Sequence, residues 1–231
     1  MPLVAFPALL SEFDSVYDVF FAAFKEEPIM DFLYPRGVDR KAHKEGTIQW
    51  WHHDKASHIM KCVDTDTGNI VGMATWDIFW RPGDENAWEK PAGIPWLEGK
   101  ERERCESVLE PMWDMRVKLF GKRRYIYLSA VAVHPDHQRG GAGRVLIQWG
   151  IDLANQLGLP IYTESSEDGF HLYEHMGFEW LTHVSLIHKA ETIGKANDVE
   201  IPLMVKLPAS VKGLSFKDWA EKGYPVQYLG K

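Results

Sequence analysis

The run Tyr125-Ile-Tyr-Leu-Ser-Ala-Val-Ala-Val133 is β-favouring throughout and almost without polar alternation. A strand of that kind is stable only when both of its faces are covered. His134-Pro-Asp-His137 breaks it, and Arg139-Gly-Gly-Ala-Gly143 follows. Val145, Leu146, Trp149, Leu153 and Leu157 then recur at helical spacing, up to a stop at Gly158. A buried strand, a glycine turn and an amphipathic helix demand a sheet with helices packed on it, so the chain is of the α/β (α+β) class. The same arrangement sets the unpaired N–H groups of a helix start beside the end of a central strand. Such a place suits a phosphate, and glycines let the backbone approach one closely. A tight turn with close helix packing explains the glycines equally well.

The rest of the chain can be placed around that centre. Leu3–Phe6 reads as a short strand. Phe13, Val16, Tyr17, Phe20, Phe21 and Phe24 give an aromatic helix face, with Ser11 at the capping position. Phe32–Pro35 reads as a loop, and Val38–His53 as a helix weakened by Gly46. His58–Val63 and Asn69–Phe79 form a hairpin about Asp64–Gly68. Trp80–Pro95 is irregular, and Trp96–Lys122 is helical and charged, with a break expected at Pro111. A strand at Leu159–Thr163, a helix at Phe170–His175, and strands at Phe178–His188 and Ile201–Leu207 complete the reading. Without repeats, low-complexity tracts or a linker, residues 1–231 are expected to form a single domain with an insertion at about 80–122.

Composition narrows the function. Acidic side chains outnumber basic ones, 33 to 26, for a net charge of −7. That excludes a simple basic nucleic-acid surface. Cys62 and Cys105 are too few for a disulfide framework and lack metal-ligand spacing. The N-terminus has no basic region of a signal peptide, and no apolar run reaches membrane-spanning length. A cytoplasmic protein without nucleic-acid or membrane partners is expected. Tryptophan is the outlier, at ten residues. Trp76, Trp80, Trp88, Trp96 and Trp113 lie in or just before the insertion. They suggest either packing of that segment or an aromatic lid over a pocket.

The glycine turn fits neither common nucleotide motif. A phosphate-binding P-loop needs Lys after its last glycine, where Arg144 stands, and a dinucleotide fingerprint needs glycine where Leu146 stands. Instead Val131-Ala-Val133, Pro135 and Gln138-Arg-Gly-Gly-Ala-Gly143 resemble the Q/R-x-x-G-x-G/A motif of the GNAT superfamily of N-acetyltransferases. The likeness continues in order through Trp149–Ala154, Gly158–Pro160, Ser165 and Ser166, Gly169, Leu172-Tyr173 and Gly177-Phe178. It covers about residues 125–180 and is nearest the small fungal proteins of that superfamily.

The resemblance implies a GNAT fold, a mixed and mostly antiparallel twisted sheet flanked by helices, with its central strands splayed. It implies acetyl-CoA as co-substrate, no metal, and a primary amine of a small molecule as acceptor, joined by direct attack through a tetrahedral intermediate. Main-chain groups of Val131, Ala132 and Val133 would meet the pantetheine arm and the oxyanion. Gln138, Arg139, Gly140, Gly141, Ala142, Gly143 and Arg144 would hold the pyrophosphate, with Ser166 and Tyr173 also on the cofactor and the Lys122–Arg124 cations nearby. Tyr173 would assist the thiolate, although full proton transfer from an ordinary phenol to an ordinary thiolate runs uphill by roughly 2 kcal/mol. Glu164 and Asp77 are the candidate bases. Phe32, Tyr34, Trp76 and Trp80 would line the acceptor site, and a homodimer is one expectation because many relatives are dimers. A protein that binds acyl-CoA without catalysis, as sensor or carrier, is the alternative from another class.

A competing pattern is His171-Leu-Tyr-Glu-His175, which has zinc-hydrolase spacing. Tyr173 lies about 200° round the helix from His171, so a helix aiming both histidines at a metal turns Tyr173 away. No distant third ligand announces itself. His52, His53 and His58 point to different faces and suit a surface or pocket wall better than a ligand set.

Overall fold

The computed structural model describes residues 2–81 and 89–228, so Trp88 lies outside the described residues. In chain order the elements are β1 (Leu3–Pro7), α1 (Phe13–Ala23), α2 (Ile29–Leu33), α3 (Arg40–His53), β2 (Ser57–Asp64) and β3 (Ile70–Phe79). Then come α4 (Gly99–Phe120), β4 (Tyr125–Val133), α5 (Ala142–Leu157), β5 (Ile161–Glu164), α6 (Glu167–His175) and β6 (Glu179–Trp180). The last are β7 (Leu186–His188), α7 (Ala190–Ile193), β8 (Val199–Ile201), β9 (Leu203–Lys206) and α8 (Phe216–Glu221). Seven strands make one sheet in the order β1-β2-β3-β4-β5-β9-β6, while β7 and β8 pair apart. The pairs β1/β2, β2/β3, β5/β9 and β6/β9 are antiparallel. This is the mixed, mostly antiparallel α/β class expected.

The chain forms two compact units, each from two pieces: Met1–Ile78 with Tyr127–Leu153, and Phe79–Ile126 with Ala154–Lys231. No linker marks the division because every crossing falls inside or at the end of regular structure, in β3, β4 and α5. The segment at 80–122 belongs wholly to the second unit.

In the first unit the hairpin turns at Gly68, whose φ of +76° suits glycine, with its N–H on the Asp64 carbonyl at 2.7 Å. Phe13, Val16, Tyr17 and Val19 of α1 bury against Ile59, Met73 and Ala132. Ser11 is not the cap of α1. A short 3-10 turn precedes the helix, and the Glu12 carboxylate accepts the Leu9 N–H at 2.9 Å and pairs with Lys61. Residues 32 and 33, expected in a loop, end the short helix α2. Asp39 caps α3 by accepting the N–H groups of Lys41 and Ala42, each at 3.0 Å, and these bonds carry the helix start. Trp76 of β3 and Trp149 of α5 have ring centroids 5.9 Å apart, and the Trp76 indole lies over Gly150. A Cβ at position 150 would collide with that ring.

In the second unit α4 runs unbroken through Pro111, against the expectation of a break. The proline removes a bond to the carbonyl of Ser107, an exposed residue whose carbonyl is not shut away from solvent by the core. Cys105, Val108, Met115, Leu119 and Phe120 bury one face of α4, which packing holds helical. Phe120 stacks on Tyr125 at 4.2 Å, and the buried Arg116 donates from Nε and Nη2 to the Tyr125 hydroxyl at 3.2 and 3.0 Å. The strand expected over 178–188 is two short ones, β6 and β7, and Pro202 divides the last run into β8 and β9. Proline has no N–H for a ladder, but its carbonyl accepts the Ser165 N–H at 2.9 Å.

Candidate active site

The glycine turn lies in the first unit. Successive residues of an extended strand aim their N–H and C=O groups at opposite edges. The His134 N–H reaches the Val71 carbonyl at 3.0 Å, and a Cβ on Gly72 of β3 would sit 3.2 Å from the Ala132 carbonyl. Ala132 and His134 therefore face β3, which turns the main-chain groups of Val131 and Val133 to the other edge. The Gln138 side chain donates to the Val133 carbonyl at 3.5 Å. Past β4, a 3-10 turn over Pro135–His137 brings the chain to Gln138, at φ −62°. Arg139 then takes φ +60° and Gly141 φ +96°, and α5 starts at Ala142, with the Val145 N–H on the Gly141 carbonyl at 3.1 Å.

An arginine with positive φ stores of order 1 kcal/mol of strain, which a site retains when it serves a purpose. Alternation in the hand of successive residues bends their N–H groups toward a common centre, and the helix start adds its own open donors. Gln138, Arg139, Gly140, Gly141 and Arg144 are exposed, while Ala142 and Gly143 are buried beneath them. The turn is thus an exposed concave set of donors with two flexible cations at its rim, and its chemistry suits a di-anion.

The other candidate group lies in the second unit. Tyr173, on α6, is 8% exposed. Its ring centroid lies 5.3 Å from that of Phe178, and its hydroxyl hydrogen-bonds to Thr163 of β5. Burial pushes its pKa up to about 12; the Thr163 bond opposes that rise and the Glu164 charge adds to it. Transfer of its proton to an ordinary thiolate would then run uphill by about 5 kcal/mol, so the phenol is better suited to donating a hydrogen bond than to giving up its proton. Gly169 lies beneath the ring, where a Cβ would come within 3.2 Å of Cε2. Ser166, expected on the cofactor, uses its hydroxyl to cap α6 by accepting the Gly169 N–H at 3.2 Å. Glu164 ends β5 and is half-buried.

Asp77 is half-buried in β3 of the first unit, opposite Ser57 in the register. The acceptor candidates separate. Trp76 is 0% exposed, so it is a core residue offering no surface to a substrate. Trp80 is 46% exposed, with the Arg81 guanidinium 5.1 Å from its ring. Phe32 is buried, and Tyr34 is half-buried with its pKa raised by burial to about 12.

The structure adds His43, which nothing in the sequence singled out. It lies one turn before Thr47 on α3, among the rings of Tyr17, Phe21 and Tyr34 at 4.8, 5.0 and 6.0 Å. Burial, reinforced by Arg40, lowers its pKa to about 4, and its Nδ1 is buried without a hydrogen-bond partner. The cations expected to help with phosphate are in part engaged elsewhere. Arg123 lies 3.6 Å from the Tyr224 ring centroid and Arg124 donates to the Trp80 carbonyl at 3.1 Å, whereas Lys122 is exposed. Both cysteines are fully buried, with pKa values raised by burial to about 11. His171 and His175 are exposed on α6, where each ring's Nδ1 meets an atom of its own helix. Among the described residues no helix is long and apolar enough to cross a membrane.

Residues 21–178 match the Acetyltransferase (GNAT) family. The chain is 33% identical over 145 residues to the probable acyltransferase SID5 of Ajellomyces capsulatus, covering 63% of this chain and 99% of that one. Among solved structures, the histone acetyltransferase HPA2 and related acetyltransferase of Corynebacterium glutamicum superposes with a TM-score of 0.59 at 22% identity, over 92% of this chain and 99% of that one. Arylalkylamine N-acetyltransferase 2 of Aedes aegypti gives a TM-score of 0.62 at 15% identity, over 90% and 99%. These two show a shared fold. With the family match spanning most of its length, the chain belongs to the GNAT acetyltransferases, a family whose chemistry is acyl transfer.

Proposed function

We propose that the protein moves the acetyl group of acetyl-CoA to the primary amine of a small molecule by direct attack, in a cytoplasmic setting. The observation that carries this reading is the turn from Gln138 to Gly141, with its two left-handed residues at the start of α5. In this reading, N–H groups from Gln138 through Arg144 hold the pyrophosphate, and the side chains of Arg139 and Arg144 add charge. The main-chain groups of Val131 and Val133 that face away from β3 pair with the amides of the pantetheine arm as an added strand would. Because Ala132 faces β3, the oxyanion donor is narrowed to the Val131 or Val133 N–H.

The amine nitrogen attacks the thioester carbon, the C–S bond breaks, and the electron pair stays on sulfur. Tyr173 donates a hydrogen bond to the developing thiolate. A carboxylate, Glu164 or Asp77, takes the proton the amine loses. Phe32, Tyr34 and Trp80 favour an aromatic or apolar amine over a polyamine.

The test is thiol release from acetyl-CoA across a panel of amines, aryl amines and spermidine included. Faster turnover of the aryl amines supports the reading, and equal turnover of spermidine overturns the acceptor preference. Binding of acetyl-CoA with no thiol release from any amine would identify a carrier instead.

A further inference from the structure

We infer that Ser129 selects primary amines by accepting the one amine hydrogen that stays on nitrogen through acyl transfer. The inference rests on the acetyl-transfer reading given above and adds to it the residue that imposes its acceptor class.

Ser129 lies midway along β4 and is the one exposed residue of that strand, whose other residues are buried or half-buried. Its hydroxyl donates to the Thr75 carbonyl of β3 at 3.1 Å. The direction of that bond is fixed, because a carbonyl oxygen can only accept. A serine hydroxyl carries one proton and two lone pairs. With the proton committed to Thr75, the oxygen meets a ligand as an acceptor alone. It suits an N–H and has no proton for a carbonyl or a carboxylate.

Position adds to polarity. Ser129 stands two residues from Val131 on its own strand, and Thr75 two residues from Asp77 on the neighbouring one. Two residues of a strand span about 7 Å. One of the two oxyanion donors of the reading above and one of its two candidate bases thus flank the Ser129–Thr75 bond, all within the first unit.

A primary amine brings two hydrogens to the reaction. Its lone pair forms the C–N bond, the C–S bond breaks, and that electron pair stays on sulfur. One hydrogen leaves as a proton to the carboxylate. The other remains on nitrogen in the tetrahedral intermediate and in the amide product, bonded to Ser129 Oγ throughout. As the nitrogen becomes positive its N–H becomes a stronger donor, so the bond tightens toward the transition state. A secondary amine has a single hydrogen, which must leave to the base, and so forgoes this bond.

The test measures thiol release from acetyl-CoA with 2-phenylethylamine and with its N-methyl derivative, in the native protein, Ser129→Ala and Ser129→Thr. A thermal melt of each confirms that it folds. Ser129→Ala is expected to lower kcat for the primary amine about tenfold, with KM for acetyl-CoA within twofold. Its preference for the primary over the N-methyl amine should fall by the same factor. Ser129→Thr, which keeps the hydroxyl, should return kcat to within about threefold of native. Equal slowing of both amines in Ser129→Ala, or no rescue in a folded Ser129→Thr, would show that the hydroxyl only ties β4 to β3. The inference then falls and the acetyl-transfer reading survives, as it also does if Ser129→Ala keeps native kcat. No thiol release by the native protein from either amine overturns the aryl-amine reading and takes the inference with it.

Discussion

Two tyrosines of this chain are buried to nearly the same degree, Tyr17 in the first unit and Tyr173 in the second, and each hydrogen-bonds to a threonine. Burial pushes both phenols well above their ordinary pKa. Their surroundings differ. Tyr17 is closed in by rings: Phe13 stacks on it at 4.4 Å, His43 meets it edge-on, and its threonine, Thr47, stands 3.5 Å from the His43 ring. Tyr173 stands next to a carboxylate, Glu164, and its threonine sits at the end of a strand. A buried tyrosine with a threonine partner is thus a common packing device. The adjoining charge and main chain, rather than the pair itself, make one of the two a candidate for chemistry.

The sharpest way to break this contrast is to remove each phenol oxygen. Tyr173→Phe should lower kcat about 10–100-fold, the range for a hydrogen bond to a charged group, while Tyr17→Phe leaves it within twofold; steady-state thiol release reads both. Equal losses would erase the distinction.

The next effect is on stability and belongs to the Tyr17 side. His43 is held neutral in the fold, with a pKa of about 4 set by burial and Arg40 among the rings of Tyr17 and Tyr34. The unfolded chain takes up a proton near pH 6.5, which the folded protein refuses until about pH 4. Stability is therefore full above pH 6.5 and falls as the pH drops toward 4, by about 2 kcal/mol at pH 5. Denaturant melts of the native protein and of His43→Phe, taken between pH 7 and 4, should diverge over that window.

A smaller effect shows what the first unit contributes apart from its tyrosine. Arg139→Gly should weaken CoA binding about 3–5-fold by loss of an exposed charge, yet raise Tm slightly by relieving a left-handed backbone. Calorimetric titration with CoA and a thermal melt measure the two. A drop in Tm would mean that the Arg139 side chain supports the turn. Smallest is Tyr17→Phe itself, expected to lower stability by about 1 kcal/mol through the Thr47 bond, with the same enzyme rate.

What was legible in the sequence was local. The span Tyr125–Val133, the glycine turn, the hairpin at Gly68 and the helix that follows Gly141 each carry their signal within a few residues, and the structure has all four. What escaped depends on partners distant in the chain. Pro111 reads as a break until the buried face of α4 is known to hold the helix together. Trp76 reads as a lid residue because its neighbours in sequence, Trp80 and the irregular segment, suggest one, but its neighbour in space is Gly150. Arg123 and Arg124 read as phosphate cations because nothing local announces Tyr224 or the Trp80 carbonyl. His43 carries no local signal, and its place four residues before Thr47 gains meaning only once α1 supplies the rings. In the candidate site the same division holds: the turn could be read from its letters, whereas the tie between Thr163 and Tyr173 needed β5 beside α6.

The Trp76–Gly150 contact has a consequence for how such a chain can change over generations. The indole fills the place where a side chain at 150 would stand, so the two positions are not free to vary separately. Replacing the glycine first meets a collision inside a close-packed interior. Replacing the tryptophan first leaves a void, which a new methyl group at 150 can then partly refill. The route from a Trp–Gly pair to a Phe–Ala pair therefore runs in one direction. A population of such proteins would be expected to hold either pair, or Phe with Gly as the way station, and Trp with Ala hardly ever.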